Sequence, residues 1–240
     1  MRNAHRINHG ERLENGGPSS DFFFIETSDP DQVIERVCDL VTRRIPNHFK
    51  FDPLTDIQVL TPMRRNQLGA DNLNTVLQQR LNTAGPSLAR GGSRFRRGDR
   101  VMQLRNNYDK EVFNGDIGLI QAVNEEERQL VILFDGRPVT YDGNEIDEIV
   151  HAYACTIHKS QGSEYPAVVI VLATQHFKLL QRNLLYTAVT RGRKLVCIVG
   201  SSKAVHLAIR NNEVRERRTT LAQRLQQLDG AHAPATGAAP

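Results

Sequence analysis

Apolar positions in the first eighty residues recur with two different periods. Phe22-Phe-Phe-Ile25 is a short unbroken apolar run of strand type, and Ile57 to Leu60 is a second. Between them Val33, Ile34, Val37, Leu40, Val41 and Ile45 recur at helical spacing. Asp29-Pro30-Asp31 supplies the start signal, with a proline tolerated in the first turn. Pro46 is the predicted stop, because it has no N–H and its ring clashes with the preceding turn. A second helix is predicted from about Leu68 to Leu81, with Leu73, Val76, Leu77 and Leu81 on one face. Residues 1–20 are polar and glycine-rich, which predicts a loose start.

The pattern changes near residue 85, where Pro86, Gly91 and Gly92 mark a linker. From Phe95 to about Ile149 short strands alternate with turns such as Asn114-Gly-Asp116, Asp135-Gly136 and Asp142-Gly-Asn144. Strands that short and that regularly spaced predict a small β-barrel. From His151 long apolar strands return: Ala152 to Ile157, Val168 to Leu172 and Leu195 to Val199, with helices over about 181–190 and 201–210. Strands without polar alternation, separated by helices, predict a parallel sheet covered on both faces. A charged helix is predicted over 214–228, and the low-complexity residues 230–240 predict a disordered tail.

Composition narrows this picture only in part. At 240 residues the chain can bury one core plus a small module. Mean hydropathy is −0.44 and no apolar run approaches the roughly 18 residues of a membrane span, so a soluble chain is expected, with no membrane partner. The opening residues have no apolar signal-peptide core. Three dispersed cysteines without a CxxC pair predict reduced thiols in a cytoplasmic protein. Eight scattered histidines give no metal motif. The net charge of +4 is weak evidence for any partner, but Arg90, Arg94, Arg96, Arg97, Arg100 and Arg105 crowd sixteen residues opposed only by Asp99. Such a cluster either neutralises phosphates or forms a solvated charged loop.

Two stretches carry candidate chemistry. Thr156-Ile-His-Lys-Ser-Gln-Gly162 leaves an apolar strand and turns polar at once, and ligands of open α/β sheets gather at the carboxyl ends of strands. Thr156 and Ser160 offer hydroxyls, His158 and Lys159 further donors. Gly162 allows close backbone approach, and Glu164 could accept from a ribose hydroxyl. The alternative is an ordinary loop with some charge. Arg191 and Arg193 close the helix ending at Thr190. They are either cations favoured at a helix C-terminus or an arginine finger for a developing phosphate charge.

Taken together these segments resemble the C-terminal half of a RecD-like superfamily 1 helicase. Thr156 to Glu164 resembles helicase motif V and Leu185-Tyr-Thr-Ala-Val-Thr-Arg191 resembles motif VI. Asn3 to Asn8 is similar to the segment after motif IV, whose arginine would fall just before residue 1, and Ile57 to Gly69 is similar to the next motif. Val101 to Lys110 and Phe113 to Gly118 resemble the family's SH3-like insertion. The resemblance implies an α/β fold: a second RecA-like motor domain with an SH3-like barrel. The expected divisions are a loose segment 1–20, the motor domain over 21–90 and 151–229, the barrel over 91–150 and the tail over 230–240. It implies Arg191 as the catalytic arginine, with Gly162, Glu164, Gln161 and Arg193 on the nucleotide side. It implies Thr156, His158, Lys159, Ser160, Thr61, Arg64, Arg65, Asn106, Asn107 and Tyr108 along single-stranded DNA. Tyr108 keeps an equal alternative as a half-buried barrel residue.

The sequence contains no G-x-x-x-x-G-K-[ST] and no carboxylate pair after a strand to hold Mg²⁺. The expectation is half of an ATP and Mg²⁺ site, completed by an N-terminal RecA-like motor domain and inactive alone, in a helicase of 5′→3′ polarity. Single-strand-binding protein or nuclease subunits are further expected partners. Two other classes stay open: a stand-alone single-stranded-nucleic-acid-binding module, and a docking regulator of a separate ATPase.

Overall fold

The long apolar strands find one another in a single parallel sheet, and everything else is arranged about it. The computed structural model describes residues 2–17 and 20–212. In chain order the elements are α1 (Arg2–His9), β1 (Phe22–Glu26), α2 (Pro30–Asp39), a π-helical turn (Leu40–Arg44), α3 (Ile45–Phe49), β2 (Ile57–Thr61) and α4 (Ala70–Leu81). The insertion follows as β3 (Ser87–Arg90), β4 (Ser93–Arg96), β5 (Arg100–Gln103), β6 (Ile117–Asn124), β7 (Gln129–Phe134), β8 (Arg137–Tyr141) and β9 (Ile149–His151). The chain then returns through β10 (Ala154–Thr156), β11 (Tyr165–Leu172), α5 (Arg182–Val189), β12 (Gly192–Gly200) and α6 (Ser202–Arg210).

The parallel sheet has the order β1-β12-β11-β2-β10. Side chains alternate across it. Val168, Ile170, Val196 and Ile198 face α1, α5 and α6, whereas Val169, Val171, Cys197 and Val199 face α2 and α4. Each fully buried Val or Ile of this set contributes about 1.5–3 kcal/mol. This is the parallel sheet covered on both faces that the apolar strands predicted.

Three details differ from the sequence reading. Residues 2–9 are not loose: Ile7 is fully buried, and the Asn3 side chain makes two hydrogen bonds of 2.9 Å to the Glu14 backbone. A polar segment is thus held by side-chain-to-backbone bonds that composition does not reveal. Pro46 does not stop the helix. Ile45 N–H reaches back five residues to Leu40 O, and this widened turn places Pro46 in the first turn of α3, where no N–H is needed. The insertion starts before residue 91, because Gly91-Gly92 is the turn of the β3–β4 hairpin. The helix and tail expected over 214–240 lie outside the described residues.

The second sheet, β8-β7-β6-β5-β9, is antiparallel and closes on Val101, Ile120, Leu130, Ile132, Phe134 and Tyr141, the SH3-like barrel. Its seat on the parallel sheet is polar. Asp99 has no solvent exposure, and its carboxylate accepts from Gln78 of α4 and Asn82 just after it (both 2.6 Å), Tyr153 Oη (2.7 Å), Arg96 N–H (2.7 Å) and His151 Nε2 (3.1 Å). Burial alone would raise its pKa. The hydrogen bonds from His151, Arg96 N–H and Tyr153 outweigh it and hold the carboxyl below its ordinary 3.8. Next to it Arg100, also buried, donates to Ile57 O (3.0 Å) and lies over the Tyr165 ring. Among the described residues no helix is long and apolar enough to cross a membrane.

Asp99→Asn turns one acceptor oxygen into a donor facing donors, and is expected to lower stability by about 3 kcal/mol in chemical denaturation. Because the folded carboxyl sits below its unfolded value, wild type holds this contribution above pH about 4 and loses it as pH falls further. The variant's deficit in melting temperature should therefore shrink only in that acidic range.

Candidate functional site

Two parallel neighbours set the geometry of the site. Thr156, the last residue of β10, is level with Thr61, the last of β2. Ile170 of β11 pairs with Leu60, so Val171 lies at that same level and Tyr165 begins β11 at the far end. Six strand positions separate the two levels, roughly 20 Å. Residues 157–164 therefore run back from the carboxyl end of the sheet to its amino end. Thr156 Oγ1 accepts the Lys159 N–H and caps a single 3₁₀ turn, while Ile157 is buried in the cluster that holds Leu184, Leu185 and Ala188 of α5. The expectation of one loop at the carboxyl ends is corrected: Thr156 lies there, but Gly162 and Glu164 do not.

Arg191 follows α5 and enters β12, at the amino end beside Glu164. Its guanidinium donates to Thr187 O (3.2 Å), Thr190 Oγ1 (3.3 Å) and Ser163 O (2.9 Å). Its own carbonyl accepts the Tyr165 N–H (2.8 Å). Arg193 is paired with Glu164 (2.9 Å), and this cation holds the Glu164 carboxyl below its ordinary range. Gly162 has φ +88°, and a side chain there would meet no atom within 4 Å, so its backbone faces open space. Gln161 is exposed. Glu164, Arg193 and Thr190 line a cleft of about 730 Å³ that Arg2 and Lys194 also border. The set offers a cation, a carboxylate and an open glycine backbone. No cluster of three or more metal-ligating side chains occurs among the described residues.

At the carboxyl end the expected DNA residues divide. Thr61 is buried and donates to Leu68 O (2.7 Å), and Ser160 is buried and donates to Ile157 O (2.8 Å). Both hydroxyls tie their own loops, so neither reaches a ligand. Arg64 and Arg65 are exposed, although Arg64 is paired with Asp71 (3.1 Å). That turn folds tightly onto α4: Met63 O and Arg64 O accept the N–H groups of Ala70 and Asp71, and a Cβ on Gly69 would come within 2.2 Å of Arg65 O. His158 is exposed at a small pocket shared with Gln161, Gln181, Asn183 and Thr187. On the barrel, Tyr108 is 75% exposed rather than half-buried, and its ring meets Phe113 edge-on at 6.0 Å. Asn106 bonds to Tyr108 Oη, and Asn107 holds Lys110 N–H and Glu148.

The arginine cluster divides. Arg100 is buried, Arg90 pairs with Asp147 (2.7 Å), and Arg105 lies 3.6 Å from Glu148. Arg94 and Arg97 remain exposed. Sequence reasoning missed Ser163, whose contribution is a carbonyl, and Asn114, which accepts from Lys159 Nζ at 2.7 Å. No side-chain pattern marks the first, and the second sits in a turn tripeptide within the stretch that resembles the SH3-like insertion, where nothing gives Asn114 a role of its own.

Comparisons with known proteins agree on the type of chain. Residues 73–134 match the family model of the ATP-dependent RecD-like DNA helicase SH3 domain, and residues 151–199 that of the UvrD-like helicase C-terminal domain. The sequence is 36% identical over 224 residues, 93% of this chain, to the ATP-dependent RecD2 DNA helicase of Deinococcus radiodurans. It is 33% identical, over 72% of this chain, to the RecBCD enzyme subunit RecD of Mycolicibacterium smegmatis. The matches span 29% and 30% of those two proteins, less than a third of their length. Among solved structures, the Pif1 helicase from Bacteroides in complex with ADP-AlF3 and ssDNA aligns over 97% of this chain and 54% of its own, with a TM-score of 0.51 at 15% identity. The Pif1 helicase from Candida albicans aligns over 95% and 57%, with a TM-score of 0.51 at 15% identity. At that identity the two structures bear on the fold alone.

Thr61→Val removes a buried hydroxyl that serves only Leu68 O. It is expected to cost about 1–2 kcal/mol in denaturant titrations while leaving single-stranded DNA affinity unchanged. A loss of affinity at unchanged stability would return Thr61 to the ligand face.

Proposed function

Because the chain belongs to the RecD-like DNA helicases, whose C-terminal motor part it carries, we propose that it supplies one wall of an ATP site and one side of a single-stranded DNA track. The observation that carries this reading is the Arg191 guanidinium. It stands at the amino end of the sheet beside Gly162 and Glu164, with three of its five N–H groups engaged and two available to a phosphate.

ATP, with Mg²⁺, supplies the phosphoanhydride whose cleavage drives the motor. The residues of this chain fit the nucleotide but not the metal: a cation for phosphate charge, an open glycine backbone, and a carboxylate at the cleft for a ribose hydroxyl. Arg191 is the catalytic arginine in this scheme and stabilises negative charge as it develops. Glu164 must give up Arg193 to accept a ribose hydroxyl, and Arg193 then becomes a second phosphate ligand. Gln161 lies between this set and His158. The Mg²⁺ ligands and the phosphate-cradling loop come from a preceding RecA-like motor domain. The ATP site forms only where the two domains meet.

At the other end, Thr156, His158 and Lys159, with Arg64 and Arg65, face the DNA backbone, and Asn106, Asn107 and Tyr108 of the barrel extend the track. Exposed cations and polar side chains suit a phosphate chain, and the exposed Tyr108 ring suits a base. Opening and closing of the two motor domains moves the chain along single-stranded DNA and separates duplex, with 5′→3′ polarity as in the family. Single-strand-binding protein and nuclease subunits are the partners such a motor would serve.

In the intact enzyme Arg191→Ala is expected to lower ATP turnover by about a thousandfold or more, with nucleotide binding largely retained in a fluorescent-nucleotide titration. Turnover near wild type would leave Arg191 as a helix cap only. The chain by itself is expected to show no ATPase activity with or without DNA. DNA-stimulated turnover from it would overturn the shared-site reading.

A further inference from the structure

Three cations close to the proposed DNA face are neutralised, whereas Arg65 is exposed and forms no ion pair among the described residues. Arg64 is paired with Asp71, Arg105 with Glu148 and Lys110 with Glu145. At the nucleotide end Arg193 is likewise paired with Glu164. Lys159 is different. Its ammonium is held at 2.7 Å by the side-chain oxygen of Asn114, a neutral amide, and no carboxylate of the described residues forms an ion pair with it. An amide orients an ammonium through one of its three N–H groups and leaves the full positive charge for another anion. A carboxylate in the same place would cancel it.

Asn114 is itself fixed. Its N–H donates to Asn106 Oδ1 (3.0 Å), and Asn106 Nδ2 reaches Tyr108 Oη (3.3 Å). The loop is closed by the backbone pair Asn107–Val112, by Lys110 N–H to Asn107 Oδ1 and by Phe113 N–H to Asp116 Oδ2. Gly115 N–H anchors it to Gln103 O of β5. A barrel loop thus reaches 45 residues back along the sequence from Lys159 and ends on that side chain.

We infer that Asn114 is a positioning residue: it holds the Lys159 ammonium, un-neutralised, at the point where the barrel and the 157–164 crossover together grip one phosphate of single-stranded DNA. The inference rests on the DNA track proposed above and adds to it the residue that makes Lys159 competent. Asn114 does not itself touch the nucleic acid. Its neutrality is the property that matters, so an isosteric charge change is the incisive variant.

The test is binding of a fluorescent oligo(dT) to the full-length protein over a range of salt concentrations, for wild type, Asn114→Asp, Lys159→Ala and the double variant. Asn114→Asp keeps the shape and the acceptor but supplies a carboxylate, and an exposed side chain of this kind leaves the melting temperature unchanged. It is expected to weaken binding roughly three- to tenfold and to reduce the slope of log affinity against log salt by about one. Lys159→Ala should do the same, and the double variant should bind like Lys159→Ala alone, because the two changes remove one interaction. If Lys159→Ala weakens binding but Asn114→Asp does not, or if the two effects add, the inference is overturned while the DNA track stands. If Lys159→Ala binds as wild type with an unchanged salt slope, the DNA reading of Lys159 falls and the inference with it.

Discussion

A parallel strand begins at the end of the sheet opposite to where its predecessor stopped, and that constraint organises this molecule. From Thr156 to Tyr165 the chain must travel roughly 20 Å along the strands and about 10 Å sideways past β2. Nine Cα steps reach about 30 Å at full extension. A helix long enough to cover the sheet does not fit that length, so the connection holds only one 3₁₀ turn and is otherwise drawn out. Polar side chains at its start therefore face one end of the domain, and Gly162 and Glu164 at its finish face the other. With little slack, displacement of either end is passed to the other through the backbone. The proposed DNA and nucleotide contacts lie at the two ends of this one strap.

The barrel is seated so that it bears on the same strap. Asp99 gathers α4, the β4–β5 turn, His151 and Tyr153 around one carboxylate, each bond compensating part of the cost of burying it. Among the described residues Arg100 forms no ion pair with a carboxylate. Burial pushes its pKa down, and its attractions are the Ile57 carbonyl, the Tyr165 ring and the more distant Asp52 and Asp56. A buried guanidinium held this way favours one docking geometry over its alternatives rather than adding net stability. Tyr165 in turn donates its N–H to Arg191 O. A barrel strand, the first residue of β11 and the proposed catalytic arginine are therefore consecutive links.

What the sequence disclosed follows from the kind of signal each feature carries. The parallel sheet was legible because unbroken apolar runs such as Val168 to Leu172 have few other uses, and the barrel because its turns are punctuated by Asn-Gly and Asp-Gly. The ends of the strap were legible as residue types. Their separation was not, because it depends on strand register, which no local pattern encodes. Thr61 and Ser160 look like ligands in a linear motif because a hydroxyl that ties its own loop and one that meets a phosphate are the same residue in sequence. Pro46 misleads for a related reason: the π-helical turn before it, which places it in the first turn of α3, has no marker in local propensity. The arginine cluster read as a surface because the carboxylates that pair with it, Asp147 and Glu148, are some fifty residues away.

The two readings of Arg191 left open by composition can be weighed by what its side chain touches. A cation that only caps a helix is satisfied by that helix, and Thr187 O and Thr190 Oγ1 provide for it. The third bond, to Ser163 O, goes to a segment 28 residues away and contributes nothing to α5. It ties the end of α5 to the end of the 157–164 crossover, one residue before Glu164, so neither can shift without breaking a charge-assisted bond or carrying the other along. Capping thus accounts for two of its bonds, and the Ser163 bond shows that the guanidinium also reaches the 157–164 crossover rather than serving its own helix alone. An arginine restrained from two sides, with two N–H groups still uncommitted, is pre-organised for an anion in a way that a cap alone does not require.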